Sequence, residues 1–530
     1  MKKYYLTLIL FFGVITEIFS CTNLIVTKGA STDGSAYLVY TNDGEWLYHL
    51  QIYQAKDYPK GAKLDFTNRS GVKGSIPQVP HTYKLIGFHM NEFQLSIGET
   101  TFGGRKELMN QKTGFLEYWH LMRLALERAK TAREAIAVIT GLVEKYGYAS
   151  EGESFSIADP NEAWLLEMIG KGDEKGAVWV ARKIPDGMVL AHANHSRIAE
   201  FPLDDPDNCL YAKDVIKFAI KKGYYDPKSG KPFRFNEVYN PMPKYRFKYT
   251  ECRVWSLYRR IAPSLGLTED YCLGKENAEP YPLWIKPDKK LRLVDVMNLV
   301  RDHYEGTPFD MTKGLAAGPF GSPNRVPPVT WQYDSVGYSW ERPISVYYTA
   351  FSFVAQMRNF LPDEVGGIVW FGEDDTYFTC YMPIFAGTND VAEPYKTGNM
   401  QKFSWQSAWW VFNFVANYAN LRYMDMKKDI QQVRDSLEQY YILQTDTVTK
   451  ASMELKKKSP EEMHKYLTDY TDKTGNDLVN TWIKLGESLI TKYNDGFVKD
   501  RQGKVHAVGY PEEWKKQIIS NDAIRYLNQE

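Results

Sequence analysis

Histidine is scarce in this chain, with nine among 530 residues, and cysteine is scarcer, with five. A site built from several imidazoles or from paired C-x-x-C ligands has little to draw on. His192 and His195 lie three apart on an inferred strand end, so they face opposite sides and no metal pair is expected there. Charge of one sign is not in excess: Lys plus Arg and Asp plus Glu are both 65. No overall field draws the chain to acidic membranes, and no nucleic-acid partner is expected. Beyond the first twenty residues no apolar run approaches the about 20 residues that span a bilayer, so no transmembrane span is expected in the mature chain. There is no G-x-S-x-G elbow, no H-E-x-x-H and no Walker A loop. GKGDEKG at 170–176 has the wrong glycine spacing for a dinucleotide loop. No cofactor is expected.

What is present points to a globular chain. Hydrophobic content is 44%, charged content 25% and aromatic content 15%, with 37 Tyr and 14 Trp. The length allows one large core or two to three domains. Residues 1–20 have the layout of an export signal: Lys2 and Lys3, an apolar run from Tyr4 to Ile15, then Thr16 to Ser20 before a cut. The mature chain is expected to start at or near Cys21, in the periplasm or outside the cell. That compartment permits disulfides, and Cys252 with Cys272 is one pairing among those open to Cys209, Cys252, Cys272 and Cys380.

Strand patterns occur at 22–27 and 36–41, joined by the turn Ser31-Thr32-Asp33-Gly34, and a hairpin pattern occurs over 85–98. Helices are predicted over 117–130 and over the next segment, where Ala135, Ile136, Ile139, Leu142, Val143 and Tyr146 form an apolar stripe. Two hairpins follow, turning at Pro160-Asn161-Glu162 and Pro185-Asp186-Gly187. Residues 201–290 read as an irregular insertion over a core. Further strands are predicted at 344–353, 367–371 and 376–382, and residues 401–530 read as a C-terminal helical region. The sum is an α+β layered domain over 21–400, followed by helices.

Cys21 stands between the leader and the first strand, CTNLIVT. It is a structural thiol, a lipidated anchor, or a nucleophile exposed by processing. Cleavage before it places an α-amine, with a pKa of about 7.7–8.0, on the same residue as a thiol of about 8.5. Directly or through a water, the amine can take the thiol proton and later protonate the leaving amine, with no histidine involved. Such a centre needs a carboxylate or amide to hold the amine and donors for the oxyanion.

Five phrases then occur in order: CTNLIVTKGASTDGS from 21, NEFQLSIGETTFGGR at 91–105, FSIADPNEAWLLEM at 155–168, PDGMVLAHANHSRI at 185–198 and HYEGTPFDMTKG at 303–314. Together they closely resemble the dipeptidase A (PepD-like) cysteine dipeptidases, a family of N-terminal nucleophile (Ntn) hydrolases related to penicillin V acylase and bile salt hydrolase. The resemblance runs from Cys21 to about Asp390. It implies an αββα four-layer sandwich, with the insertion and C-terminal helices added to it. It implies Cys21 as nucleophile and Asp43 as the group that holds its amine. Tyr40 falls where the superfamily has an arginine beside the thiol, a departure from that pattern. Asn194 matches the oxyanion donor, Thr101 lies near the other site asparagine, and Arg342 is a candidate for a later site arginine.

Each residue has a plainer reading. Asp43 also suits a turn former, Asn194 a strand-end cap, Thr101 an ordinary strand residue, Arg342 a structural ion-pair partner, and Glu99 a partner for Arg105. The function expected is an exported cysteine dipeptidase acting on small peptides through an acyl-enzyme. The alternatives are an amidase on non-peptide acyl amides and a lipid-anchored peptide- or glycan-binding protein acylated at Cys21.

Overall fold

The computed structural model describes residues 21–528, and the leader read over 1–20 lies outside the described residues. Two antiparallel sheets carry the fold. The strands, in chain order, are β1 (Thr22–Val26), β2 (Ala36–Asp43), β3 (Ile52–Tyr53), β4 (Leu85–Ile86), β5 (Met90–Asn91), β6 (Ser96–Gly103), β7 (Gly152–Ala158), β8 (Ala163–Lys171), β9 (Glu174–Lys183), β10 (Val189–His192), β11 (Cys209–Tyr211), β12 (Thr349–Met357), β13 (Ile368–Glu373) and β14 (Met382–Phe385). One sheet has the order β10-β1-β2-β12-β13-β14, the other β11-β9-β8-β7-β6-β5-β4-β3. The wholly buried runs TNLIV in β1 and TAFSFVAQM in β12 are rich in branched and aromatic residues, which suits strands covered on both faces.

The sheets meet face to face, and Gly98 in β6 lies at their contact, where only a glycine fits. A Cβ there would lie 2.3 Å from Asn23 Oδ1 and 3.1 Å from Tyr40 Cβ. On the outer side of the eight-stranded sheet pack α1 (Tyr118–Arg128) and α2 (Ala132–Tyr146), burying the predicted positions Ala135, Ile136, Ile139 and Val143. Three later helices adjoin the six-stranded sheet: α4 (Ala408–Ala419), α5 (Tyr423–Lys456) and α6 (Pro460–Tyr493). The chain is thus a mixed α+β fold.

The structure departs from the sequence reading in three places. The turn at Pro185-Asp186-Gly187 does not close a hairpin within one sheet. β9 belongs to the eight-stranded sheet, and β10 crosses to pair with β1, Asn23 opposite His192. Strand-like residues at 344–348 and 376–381 are loops, because Asp375, Ser345 and Thr376 form a side-chain network there in place of a ladder. Within the 201–290 segment lies a fifteen-residue helix, α3 (Phe247–Ile261), with eleven buried residues. Its charged and aromatic sequence, FKYTECRVWSLYRRI, hides its apolar face. A disulfide joins its Cys252 to Cys272, with Cα atoms 4.9 Å apart.

Candidate active site

The head of β1, the end of β2, the end of β10 and the start of β12 converge at one end of the six-stranded sheet, because neighbouring strands run antiparallel. Cys21 sits at that convergence, buried, with a free thiol. Its Sγ lies 3.8 Å from the Tyr40 hydroxyl and 3.7 Å from Glu99 Oε1. Tyr40 donates to Glu99 Oε1 at 2.5 Å and accepts from the Asn42 amide at 2.6 Å. A hydroxyl therefore faces the thiol at the position where the superfamily has a guanidinium. Burial, then the charges of Glu99 and Asp43, push the Cys21 thiol well above its ordinary value. The Asp43 backbone N–H and the Tyr40 hydroxyl pull the other way. Burial thus disfavours the thiolate, and attack calls for a base that takes the thiol proton.

Asp43 is fully buried and held on both oxygens. Arg342 pairs with Oδ2, and Thr349 donates to Oδ1 at 2.8 Å. Thr41 links it to the nucleophile strand: its hydroxyl accepts from the Thr22 backbone N–H at 3.1 Å and lies 3.3 Å from Asp43 Oδ2. The Asp43 carboxylate is thus buried against an arginine and two threonines.

A second guanidinium is one the sequence reading did not single out. Arg253 of α3, fully buried, donates to the Cys21 carbonyl at 2.7 Å, to Thr22 Oγ1 at 2.9 Å, to the Ala193 carbonyl at 3.3 Å and to Asn194 Oδ1 at 2.9 Å. Burial, then the nearby Arg342, lower its pKa to about 9, which leaves it a cation at neutral pH. The signal in the sequence is an arginine beside a cysteine in a segment of odd composition, which carries little information alone.

Asn194 lies just beyond β10 in the left-handed region, at φ 55°, a conformation asparagine tolerates better than most residues. Its amide donates to the Thr101 carbonyl at 2.8 Å. The Thr101 hydroxyl donates to Glu153 at 3.0 Å, so Thr101 meets the centre through its backbone and through Glu153. Glu99 does not pair with Arg105, whose guanidinium reaches Glu107 and the Val238 carbonyl. Glu99 instead lies beside Cys21, and its charge, after burial, helps push the Glu153 carboxyl well above the carboxylate range. β6 pairs with β5 only at Ser96, and the Asn23 amide donates to the Glu99 carbonyl at 2.6 Å. His192 bridges Thr100 and Ser156, each at 2.7 Å, whereas His195 pairs with Glu251 at 2.7 Å; they share no site.

An α+β chain that buries a free cysteine at the head of a central strand, among carboxylates, a tyrosine and two guanidinium groups, has the layout of a cysteine peptidase. The chain belongs to peptidase family C69, whose profile matches residues 20–436. It is 27% identical over 406 residues to a probable dipeptidase of Salmonella dublin, covering 73% of this chain and 85% of that protein. A probable dipeptidase of Latilactobacillus sakei is 24% identical over 493 residues, 89% of this chain and 97% of its own. Dipeptidase A of Lactobacillus helveticus is 22% identical over 488 residues, 88% and 95% of the two chains. The protein is a peptidase.

Proposed function

We propose that this peptidase is an exported cysteine dipeptidase of the Ntn type, with Cys21 as the N-terminal nucleophile. The observation that carries the reading is a difference among thiols. Of the free cysteines described, only Cys21 lies among Asp43, Tyr40, Arg253 and Glu99; Cys209 and Cys380 are buried elsewhere. Two facing sheets with helices on both outer sides support the αββα reading. The leader pattern and the Cys252–Cys272 disulfide support an oxidising location.

Processing before Cys21 frees its amine, which Asp43 orients. The amine takes the thiol proton, Sγ bonds to the scissile carbonyl carbon, and Asn194 donates to the oxyanion. The carbon–nitrogen bond breaks as the amine's proton passes to the leaving group. Water then attacks the thioester, and the carbon–sulfur bond breaks.

The test is a substrate panel on protein that begins at Cys21, with the mass of its N-terminus measured. Dipeptides are expected to be cleaved; Cys21→Ala is expected to abolish cleavage and an uncut leader nearly to do so. Preference for non-peptide acyl amides would make it an amidase. A diacylglyceryl adduct on Cys21 would make it an anchored binding protein. Full activity with the leader uncut would sink the amine mechanism.

A further inference from the structure

We propose that Glu99, backed by Glu153, is the specificity group that binds the free α-ammonium of the residue transferred to Cys21, so that the enzyme accepts peptides with an unblocked amino terminus and rejects N-acylated ones. This deepens the proposed function and rests on Cys21 as the nucleophile. Four observations carry it.

The first is distance. In a near-attack geometry the scissile carbon lies about 3–3.5 Å from Sγ, and the α-nitrogen is two bonds further along the substrate, so it falls roughly 3–5 Å from Sγ. Glu99 Oε1 lies 3.7 Å from Sγ. A carboxylate therefore stands within ion-pairing reach of an ammonium held on the same side of Sγ. The second is the missing counter-charge. Glu99 is 1% exposed and Glu153 0% exposed, yet among the described residues neither forms an ion pair with a lysine or arginine. Among the described residues Glu99 Oε2 and Glu153 Oε1 have no hydrogen-bond partner. Buried carboxyls without a cation are costly, and an ammonium held between them would offset that cost. The guanidinium groups of the centre are committed elsewhere: Arg253 to Cys21, Thr22, Ala193 and Asn194, and Arg342 to Asp43. Arg69 acts on Glu99 only from an exposed position.

The third is charge. Burial, then the charge of Glu99, push the Glu153 carboxyl well above the carboxylate range, and a cation beside the two carboxyls would relieve that repulsion. The fourth is the lining. The hydroxyl of Tyr40 fixes Glu99 Oε1, and Tyr118 lies close enough to feel Glu99, Glu153 and Cys21. Aromatic rings beside a carboxylate suit a cation. Asn42, Thr101 and Tyr118 are the partly exposed residues on this side.

Binding to the mature Cys21→Ala protein tests the assignment without turnover. By titration calorimetry at neutral pH, a free dipeptide is expected to bind about 100-fold more tightly than its N-acetyl form, the size of effect seen when one partner of a buried charge pair is removed. Adding Glu99→Gln should bring the two within about fivefold, with Glu99→Asp intermediate and Glu153→Gln weakening the preference. Equal binding of both forms to the Cys21→Ala protein, or no binding of either, overturns the assignment without recourse to a second variant. So does Glu99→Gln in active enzyme if it slows blocked and unblocked substrates alike and moves the pH profile, for then Glu99 serves the amine of Cys21. If the preference holds while unmutated enzyme turns over no dipeptide, the dipeptidase reading fails and this assignment stands.

Discussion

One guanidinium, that of Arg253, touches four acceptors around the nucleophile. Arg253→Met removes the donor that these acceptors share, and stability should fall by about 3–5 kcal/mol, read from denaturant unfolding. Arg253→Lys keeps the charge but not the planar fork. It should fold and lose at least about tenfold in kcat/KM, since an ammonium cannot span four acceptors; unchanged kcat/KM would sink that role. Asp43→Asn tests the proposed partner of the amine. Removing a negative charge beside an amine lowers the amine's pKa, so the acidic limb of the rate profile should move to lower pH while the maximum falls. An unmoved profile makes Asp43 only the partner of Arg342. The sequence singled out Cys21 by the leader pattern read before it and Asp43 only through the family resemblance, counted from Asp33-Gly34-Ser35, and both lie buried at one end of the six-stranded sheet. Arg253 and the Glu99–Glu153 pair were not singled out for the site, because hydropathy places guanidinium and carboxyl groups outside.

At the scale of elements, α3 and β6 matter most. The disulfide between Cys252 and Cys272 fixes α3 through the residue next to Arg253. Replacing both cysteines by serine should cost about 3 kcal/mol in stability by loop closure. It should also lower activity, where a protein whose only sensitive thiol is its nucleophile would be indifferent. Thermal melts and kcat/KM of the double variant check both; full activity would show that α3 holds its place unaided. The amphipathic stripe of α2 was readable because its polar face meets water. The crossing of β10 between sheets was not, since a Pro-Asp-Gly turn joins strands of one sheet or of two with the same residues.

The molecule as a whole buries acid in the six-stranded sheet. Both carboxyl oxygens of Glu373 and Oδ2 of Asp374 lack a partner, and burial pushes both groups well above the carboxylate range. Their folded-state pKa values lie above the unfolded ones, about 4.3 and 3.9. The stability they contribute is therefore present below about pH 4 and is lost as pH rises through the folded values. Glu373→Gln should flatten that fall, so its advantage over the parent grows between pH 5 and 9 in denaturant titrations. Parallel curves would refute it. The layered α+β class was legible because strand and helix periods alternate along the chain; which strands share a sheet depended on contacts no local pattern encodes. Finally, the grip of Arg253 falls on the carbonyl of Cys21 and on Thr22, and neither group changes when the bond before Cys21 is cut. On the proposed maturation the precursor is a zymogen of a spare kind. Its activation waits on one new chemical group, so activity should appear as fast as the cut itself.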